Sequence, residues 1–187
     1  SSHHPYKIPK SYSSKVKKGP DPICKAISYS DYSFKEFWEK AKKQDWFENT
    51  MFVFCADHVG PTGRSDRSSI EWSFKIPIAY YHSSGKLPKV DREESTQQID
   101  IMPTILDLLN IETSFFAMGT SYFSSYSLPK VVYNQENLIA LSPNQKPFIW
   151  NDQMRRNWKV SEREVIRKLK AIYQHYTQAL IENKMLP

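Results

Sequence analysis

Two adjacent side chains, Asp57 and His58, are the pair best suited to chemistry in this 187-residue chain. They follow at once on Met51-Phe52-Val53-Phe54-Cys55-Ala56, an apolar run rich in aromatic residues. Its length and composition predict a strand over residues 50–56, buried on both faces. In α/β sheets, sites gather where strands end. A carboxylate oxygen and an imidazole nitrogen placed there can both reach one divalent cation. Such a cation neutralises phosphoryl or sulfuryl oxygens and lowers the pKa of a nucleophile. The dipeptide has a second reading, a turn in which Asp57 caps the following loop and His58 packs nearby.

The elements that must position this pair are legible on either side. Residues 1–20, rich in Ser, Lys and Pro, read as loop. Asp21-Pro22 reads as a helix start, because Asp accepts from free N–H groups and Pro suits the first helical position. Ile23, Ala26, Ile27, Ser30, Phe34, Phe37, Trp38 and Ala41 then recur at helical spacing, which predicts an amphipathic helix to about Gln44. Asp31 falls within it as a surface or ion-pair residue. A polar loop spans residues 60–72 and carries Arg64 and Arg67, read as solvated charges before substrate contacts. Residues 76–81 predict a second buried strand with Pro77 near its start. Asp100 or a near neighbour is read as the cap of a short helix with Pro103 in its first turn. Further on, Val131-Val132-Tyr133 and Leu138-Ile139-Ala140-Leu141 suggest small antiparallel strands. Ser161-Glu162-Arg163-Glu164 reads as a capping box. Val165, Leu169, Ile172, Tyr173, Tyr176 and Leu180 continue it as a helical stripe. His82 and His175 are isolated, and neither is assigned a role.

Composition narrows the class of partner. Hydrophobic residues make up 40% of the chain and aromatic residues 14%, enough for a real core and against disorder. The net charge of +6 reads either as a solvated basic surface or as the mark of an anionic partner such as a lipid headgroup, phosphate ester or nucleic acid. The Lys and Arg residues are scattered, with no aromatic-interleaved basic stripe, so nucleic acid is not expected. Cys24 and Cys55 form no metal-ligand pattern and are expected to be buried free thiols, with a disulfide as the alternative. No apolar run reaches membrane-spanning length. The opening residues do not resemble a translation start, and the chain is read as a piece of a longer protein.

Three segments carry a family resemblance. The first runs from Phe37-Trp38 through Trp46-Phe47-Glu48-Asn49-Thr50 and the apolar strand to Asp57-His58. The second is Ile76-Pro77-Ile78. The third is Gln98-Ile99-Asp100-Ile101-Met102-Pro103-Thr104-Ile105-Leu106. In order and spacing, they resemble the alkaline phosphatase and sulfatase superfamily, most of all its lipoteichoic acid synthase and phosphoglycerol transferase branch. The resemblance covers roughly residues 1–125. It implies that Asp57 and His58 bind a divalent metal, manganese or magnesium, with calcium a third candidate. Ser2-His3-His4-Pro5 matches the family's Ser/Asn-His-x-Pro element, which makes His3 the substrate-binding histidine. The competing reading is an affinity-tag remnant, but Pro5-Tyr6 continues the family pattern.

Two family parts have no match here: an upstream Glu or Asp ligand, and the nucleophile, a Thr or a modified Cys or Ser. No catalytic residue is therefore assigned, and this chain alone is expected not to turn over substrate. The expected fold is α/β, part of a mixed central sheet flanked by helices. Residues 1–125 would be the C-terminal part of the catalytic domain. Residues 126–187 would form a small α+β subdomain ending in a long helix. The implied substrate is an anionic ester, in the named branch a phosphatidylglycerol-like lipid. The implied parent is membrane-anchored with this domain outside the cytoplasm. Unpaired sheet edges would permit a dimer. The rival readings are a sulfatase acting on sulfated sugars and a catalytically inactive binding module.

Overall fold

The protein's computed structural model describes residues 3–60, 70, 72–89, 94–126, 130–134, 137–141, 148–151, 153–154 and 157–185. The chain divides into two compact units, Ser1–Phe52 with His82–Lys86, and Val53–Tyr81 with Leu87–Pro187.

The first unit is built on helix α1, Pro22–Ala41. Asp21 holds the N-cap position with extended backbone and Pro22 opens the helix, as the sequence predicts. The Asp21 side chain makes no capping hydrogen bond, so only its charge favours the helix N-terminus. The helix stops three residues short of Gln44 because the chain tightens there. Lys43 N–H bonds to the Lys40 carbonyl and Gln44 N–H to that of Ala41, both i to i−3. Trp38 packs edge-on against Phe47 and Phe52, at ring-centre distances of 5.3 and 4.8 Å. Ala26 and Ala41 are buried on the same helix, while Ile27, Phe34 and Phe37 of the predicted apolar face remain exposed. The N-terminal loop packs by aromatic contacts: Tyr12 meets Tyr29 and Tyr32 edge-on.

In the second unit, β1 (Phe52–Cys55, entering from the first unit at Phe52) and β2 (Ile78–Tyr81) are hydrogen-bonded neighbours. Ala56 N–H also donates to the Pro77 carbonyl, at 3.3 Å. Pro77 thus sits just ahead of its strand, where its missing N–H costs no ladder bond. Burial on both faces, expected for each strand, is not found. β1 is half-buried with Cys55 exposed, and β2 alternates between half-buried and exposed. Among the described residues each strand has one partner, and a two-stranded sheet cannot enclose itself. The cysteines follow suit: both are free thiols, Cys24 half-buried and Cys55 exposed rather than buried.

A 3-10 turn, Gln98–Asp100, leads into α2, Ile101–Leu108, with Pro103 buried in the first turn. Asp100 is 1% exposed and organises the region. Its Oδ2 accepts from Gln97 N–H (2.8 Å), the Thr96 hydroxyl (3.3 Å) and Lys130 Nζ (2.6 Å). Its Oδ1 accepts from Thr120 N–H at 3.0 Å. Asp100 therefore caps the 3-10 turn that leads into α2, and at the N-cap position of α2 itself its side chain makes no capping bond. Thr104, also buried, donates to the Asp100 carbonyl at 2.6 Å and accepts from Tyr122 N–H at 3.0 Å.

Strands β3 (Lys130–Asn134), β4 (Asn137–Leu141) and β5 (Phe148–Trp150) form an antiparallel sheet in that order. Val131 pairs with Ala140, and Ile139 with Ile149. The side chain of Gln97 lies along β3: its amide donates to the Val131 carbonyl (2.8 Å) and accepts from Val131 N–H (3.1 Å). Helix α3, Val160–Ile181, packs on this sheet, with Leu138, Trp150 and Leu169 at the centre and Val165 and Trp158 around them. Its capping box lies two residues before the predicted one: Lys159 N–H donates to Glu162 Oε2 at 2.7 Å. Tyr173, Tyr176 and Leu180 of the predicted stripe stay exposed. Short strands and long helices give the α/β class expected, with the described strands in a two-stranded and a three-stranded sheet.

Candidate metal centre

The chain leaves β1 at Cys55, and the next three residues form the site. Asp57 and His58 are strongly exposed, their side chains 80% and 63% accessible. Asp57 Oδ1 accepts from the backbone N–H of His58 at 2.9 Å. This local bond is the turn that an Asp at a strand end favours. It leaves Oδ2 facing the imidazole, 3.5 Å from His58 Nε2. The other ring nitrogen, Nδ1, lies 2.8 Å from the Val59 carbonyl oxygen. An acceptor at that distance calls for a proton on Nδ1, which puts the lone pair of a neutral ring on Nε2. The two readings of the dipeptide thus coexist: one carboxylate oxygen holds the turn, the other faces the ring.

The geometry fits a cation. Two ligand atoms each about 2.1 Å from a common ion lie roughly 3.0–3.4 Å apart, for right-angled to tetrahedral arrangements. The 3.5 Å separation of Oδ2 and Nε2 is close to that span. A hard carboxylate with one imidazole suits magnesium, manganese or zinc better than a soft metal.

Gln98 is the residue the sequence did not single out. Its Nε2 donates to the Ala56 carbonyl at 2.9 Å and to the Asp57 carbonyl at 3.1 Å. One amide therefore fixes the backbone on both sides of the peptide that presents Asp57. The turn bearing Gln98 is held in turn by Asp100 and Lys130. The Gln98-Ile99-Asp100 segment was visible as a family motif, but nothing in its spacing announced a contact 41 residues back.

His3 belongs to the first unit, where it is exposed and its carbonyl accepts from Tyr6 N–H at 2.8 Å. His82 lies in the same unit, with Nδ1 2.9 Å from the Ser84 hydroxyl. His175 stacks on Phe116, at 5.6 Å between ring centres. Arg64 and Arg67 lie outside the described residues.

A sulfatase family model matches residues 1–111, more than half of the sequence, and the chain belongs to that family. Among curated relatives it is 27% identical over 134 residues to phosphoglycerol transferase I of Citrobacter koseri, spanning 67% of this chain and 16% of that protein. It is 29% identical over 129 residues to the lipoteichoic acid synthase-like protein YvgJ of Bacillus subtilis, spanning 61% of this chain and 21% of that one. A crystal structure of an alkaline phosphatase superfamily protein from Vibrio parahaemolyticus superposes with a TM-score of 0.72. It shares 23% identity and is matched by all of this chain over 48% of its own length, a likeness of fold. The chain therefore spans about a fifth or less of the curated relatives it matches.

Proposed function

We propose that this chain is the metal-binding C-terminal portion of an enzyme that transfers or hydrolyses phosphate or sulfate esters. The observation that carries the reading is the Asp57–His58 donor pair, held beyond β1 by Gln98. In this reading Asp57 Oδ2 and His58 Nε2 hold one divalent cation, manganese or magnesium ahead of calcium. When bound, that ion would neutralise charge on the ester oxygens and activate a nucleophile. The chain's own contribution is to fix two donors on a braced turn. The Val59 carbonyl keeps the imidazole in the tautomer that leaves Nε2 unprotonated. His3 is the substrate-orienting histidine, a role that rests on the Ser-His-x-Pro resemblance.

Of the ester classes, a phosphate diester with a glycerol or phospholipid headgroup is favoured, because the curated relatives named above include a phosphoglycerol transferase. A sulfated sugar is the second reading, supported by the family match itself. The parent protein is proposed to be membrane-anchored with this region outside the cytoplasm. Among the described residues, no helix is long and apolar enough to cross a membrane. The nucleophile is proposed to lie in the remainder of the parent, since this chain spans only 16–21% of those relatives. Residues 126–187 are proposed as an appended subdomain.

Manganese binding to the 187-residue chain tests the reading, by electron paramagnetic resonance of the free ion and by calorimetry. Wild type should bind one ion, and Asp57→Asn and His58→Ala should each abolish it while far-UV circular dichroism is retained. Equal manganese affinity in all three proteins would remove the pair from the metal site. It would leave the non-catalytic binding module as the better reading.

A further inference from the structure

The turn Gln98–Asp100 faces two ways. Toward the candidate metal centre it presents Gln98, whose Nε2 holds the Ala56 and Asp57 carbonyls. Gln98 is itself exposed, and Ile99 beside it is 48% exposed, so burial fixes neither. The anchored residues flank them: Gln97 is half-buried and Asp100 is buried. Both are tied to β3, an outer strand of the three-stranded sheet. The Gln97 amide takes the Val131 carbonyl and N–H, at 2.8 and 3.1 Å. Asp100 Oδ2 takes Lys130 Nζ at 2.6 Å. Thr120 N–H adds a further tie at Asp100 Oδ1, 3.0 Å away.

Two neighbouring residues of β3, Lys130 and Val131, thus grip both ends of the stretch 97–100, and Gln98 lies between the grips. A long, exposed glutamine has many rotamers to lose. It reaches two carbonyls at once only if its backbone is held. β3 supplies a firm base, because it pairs with β4 from Lys130 to Asn134 and Val131 packs against the Leu138, Trp150 and Leu169 core. Donor atoms must be held within about 0.5 Å of their working positions. We infer that Lys130 and Gln97 are positioning residues for Asp57, acting through Gln98, so that the C-terminal sheet is part of the metal centre's scaffold. That role rests on Asp57 being a metal ligand, as proposed above. It sets an order of effect: Gln98 first, Gln97 and Lys130 next, and the core beneath α3 not at all.

Manganese calorimetry and nitrogen-15 NMR on the 187-residue chain test this, at a temperature where each variant is folded by near-UV circular dichroism. Lys130→Met and Gln97→Ala should each weaken manganese binding, by up to about tenfold. Lys130→Arg keeps the cation beside Asp100 and should restore most of the affinity. The double variant Gln98→Ala/Lys130→Met should bind no more weakly than Gln98→Ala, because the effect of Lys130 passes through Gln98. Leu169→Ala, in the buried core under α3, should lower Tm and leave the affinity unchanged. The Gln98 side-chain amide signals should move toward those of a free amide in Lys130→Met and Gln97→Ala. Unchanged affinity in both single variants, additive losses in the double variant, or an equal loss in Leu169→Ala would each overturn the proposal. If wild type binds no manganese, the metal reading fails and the amide signals decide alone: the same positions in wild type and both variants would overturn the positioning role.

Discussion

Replacing Lys130 with Met tests whether the Asp100 network holds the second unit together. The ion pair is 2.6 Å long, with side-chain accessibilities of 14% for Lys130 and 2% for Asp100. Removing one partner of a buried pair costs about 3–5 kcal/mol, because the other charge stays in a low-dielectric site. Here the carboxylate keeps three donors, Gln97 N–H, Thr120 N–H and the Thr96 hydroxyl. The low end, about 3 kcal/mol, is therefore expected. For a chain of this size each kcal/mol lowers Tm by about 2–4 °C, so Lys130→Met should melt about 6–12 °C below wild type. The assay is thermal unfolding followed by circular dichroism, with Lys184→Met as control. Lys184 pairs with Glu182 in a solvent-exposed contact, and its loss should not move Tm measurably. The double variant Asp100→Asn/Lys130→Met removes the stranded charge, and should be less destabilised than the sum of its parts. A Lys130→Met midpoint indistinguishable from that of Lys184→Met would refute the reasoning.

Gln98→Ala frees the Ala56 and Asp57 carbonyls without touching a ligand atom, and should weaken manganese binding about tenfold by calorimetry, as outer-shell losses do. Thr104→Val should cost about 1–3 kcal/mol in urea unfolding, because it leaves the part-buried Tyr122 N–H without its acceptor. Gly119→Ala should lower the yield of folded protein in solubility assays, because its Cβ would overlap the Ile99 carbonyl. Burial raises the Tyr80 phenol above its ordinary value, against an opposing pull from the Thr104 hydroxyl. That hydroxyl is committed to Asp100 and Tyr122, and among the described residues no partner sits at hydrogen-bond geometry to the phenol, so the upward direction stands. With the folded pKa above the unfolded one, Tyr80 contributes stability below about pH 10 that is lost as pH rises through the folded value. In spectrophotometric titration, Tyr80→Phe should remove a late-ionising phenol.

Local rules served well where one residue type decides the backbone. Pro22, Pro77 and Pro103 sit where a fixed φ and a missing N–H allow them. The β3–β4 pairing was legible because short apolar runs separated by polar residues are a short-range signal. Burial was not. The run through Phe52 and Phe54 reads like a core strand, but burial depends on neighbours that the run cannot specify. The capping box shows the same limit over two residues. Ser161 with Glu164 satisfies the pattern, yet the helix begins at Val160 and Glu162 does the bonding. Within the candidate site, Asp57 and His58 were visible as adjacent ligand types after an apolar run. Gln98 and Lys130 were not, because their roles rest on contacts 41 and 30 residues apart in sequence.

The Gln97 side chain has a consequence for association. In the order β3-β4-β5, β3 is an outer strand, and a bare outer strand is a template for another chain. Val131 turns its N–H and C=O away from β4, and both are taken by a single amide that imitates a passing peptide. Outward-facing groups recur at every second residue, so within Lys130–Asn134 only Tyr133 presents the next such pair. One residue is too short a purchase for a foreign strand. Among the described residues, Gln97 thus covers the middle of the open edge of β3, as a short stretch of paired strand would.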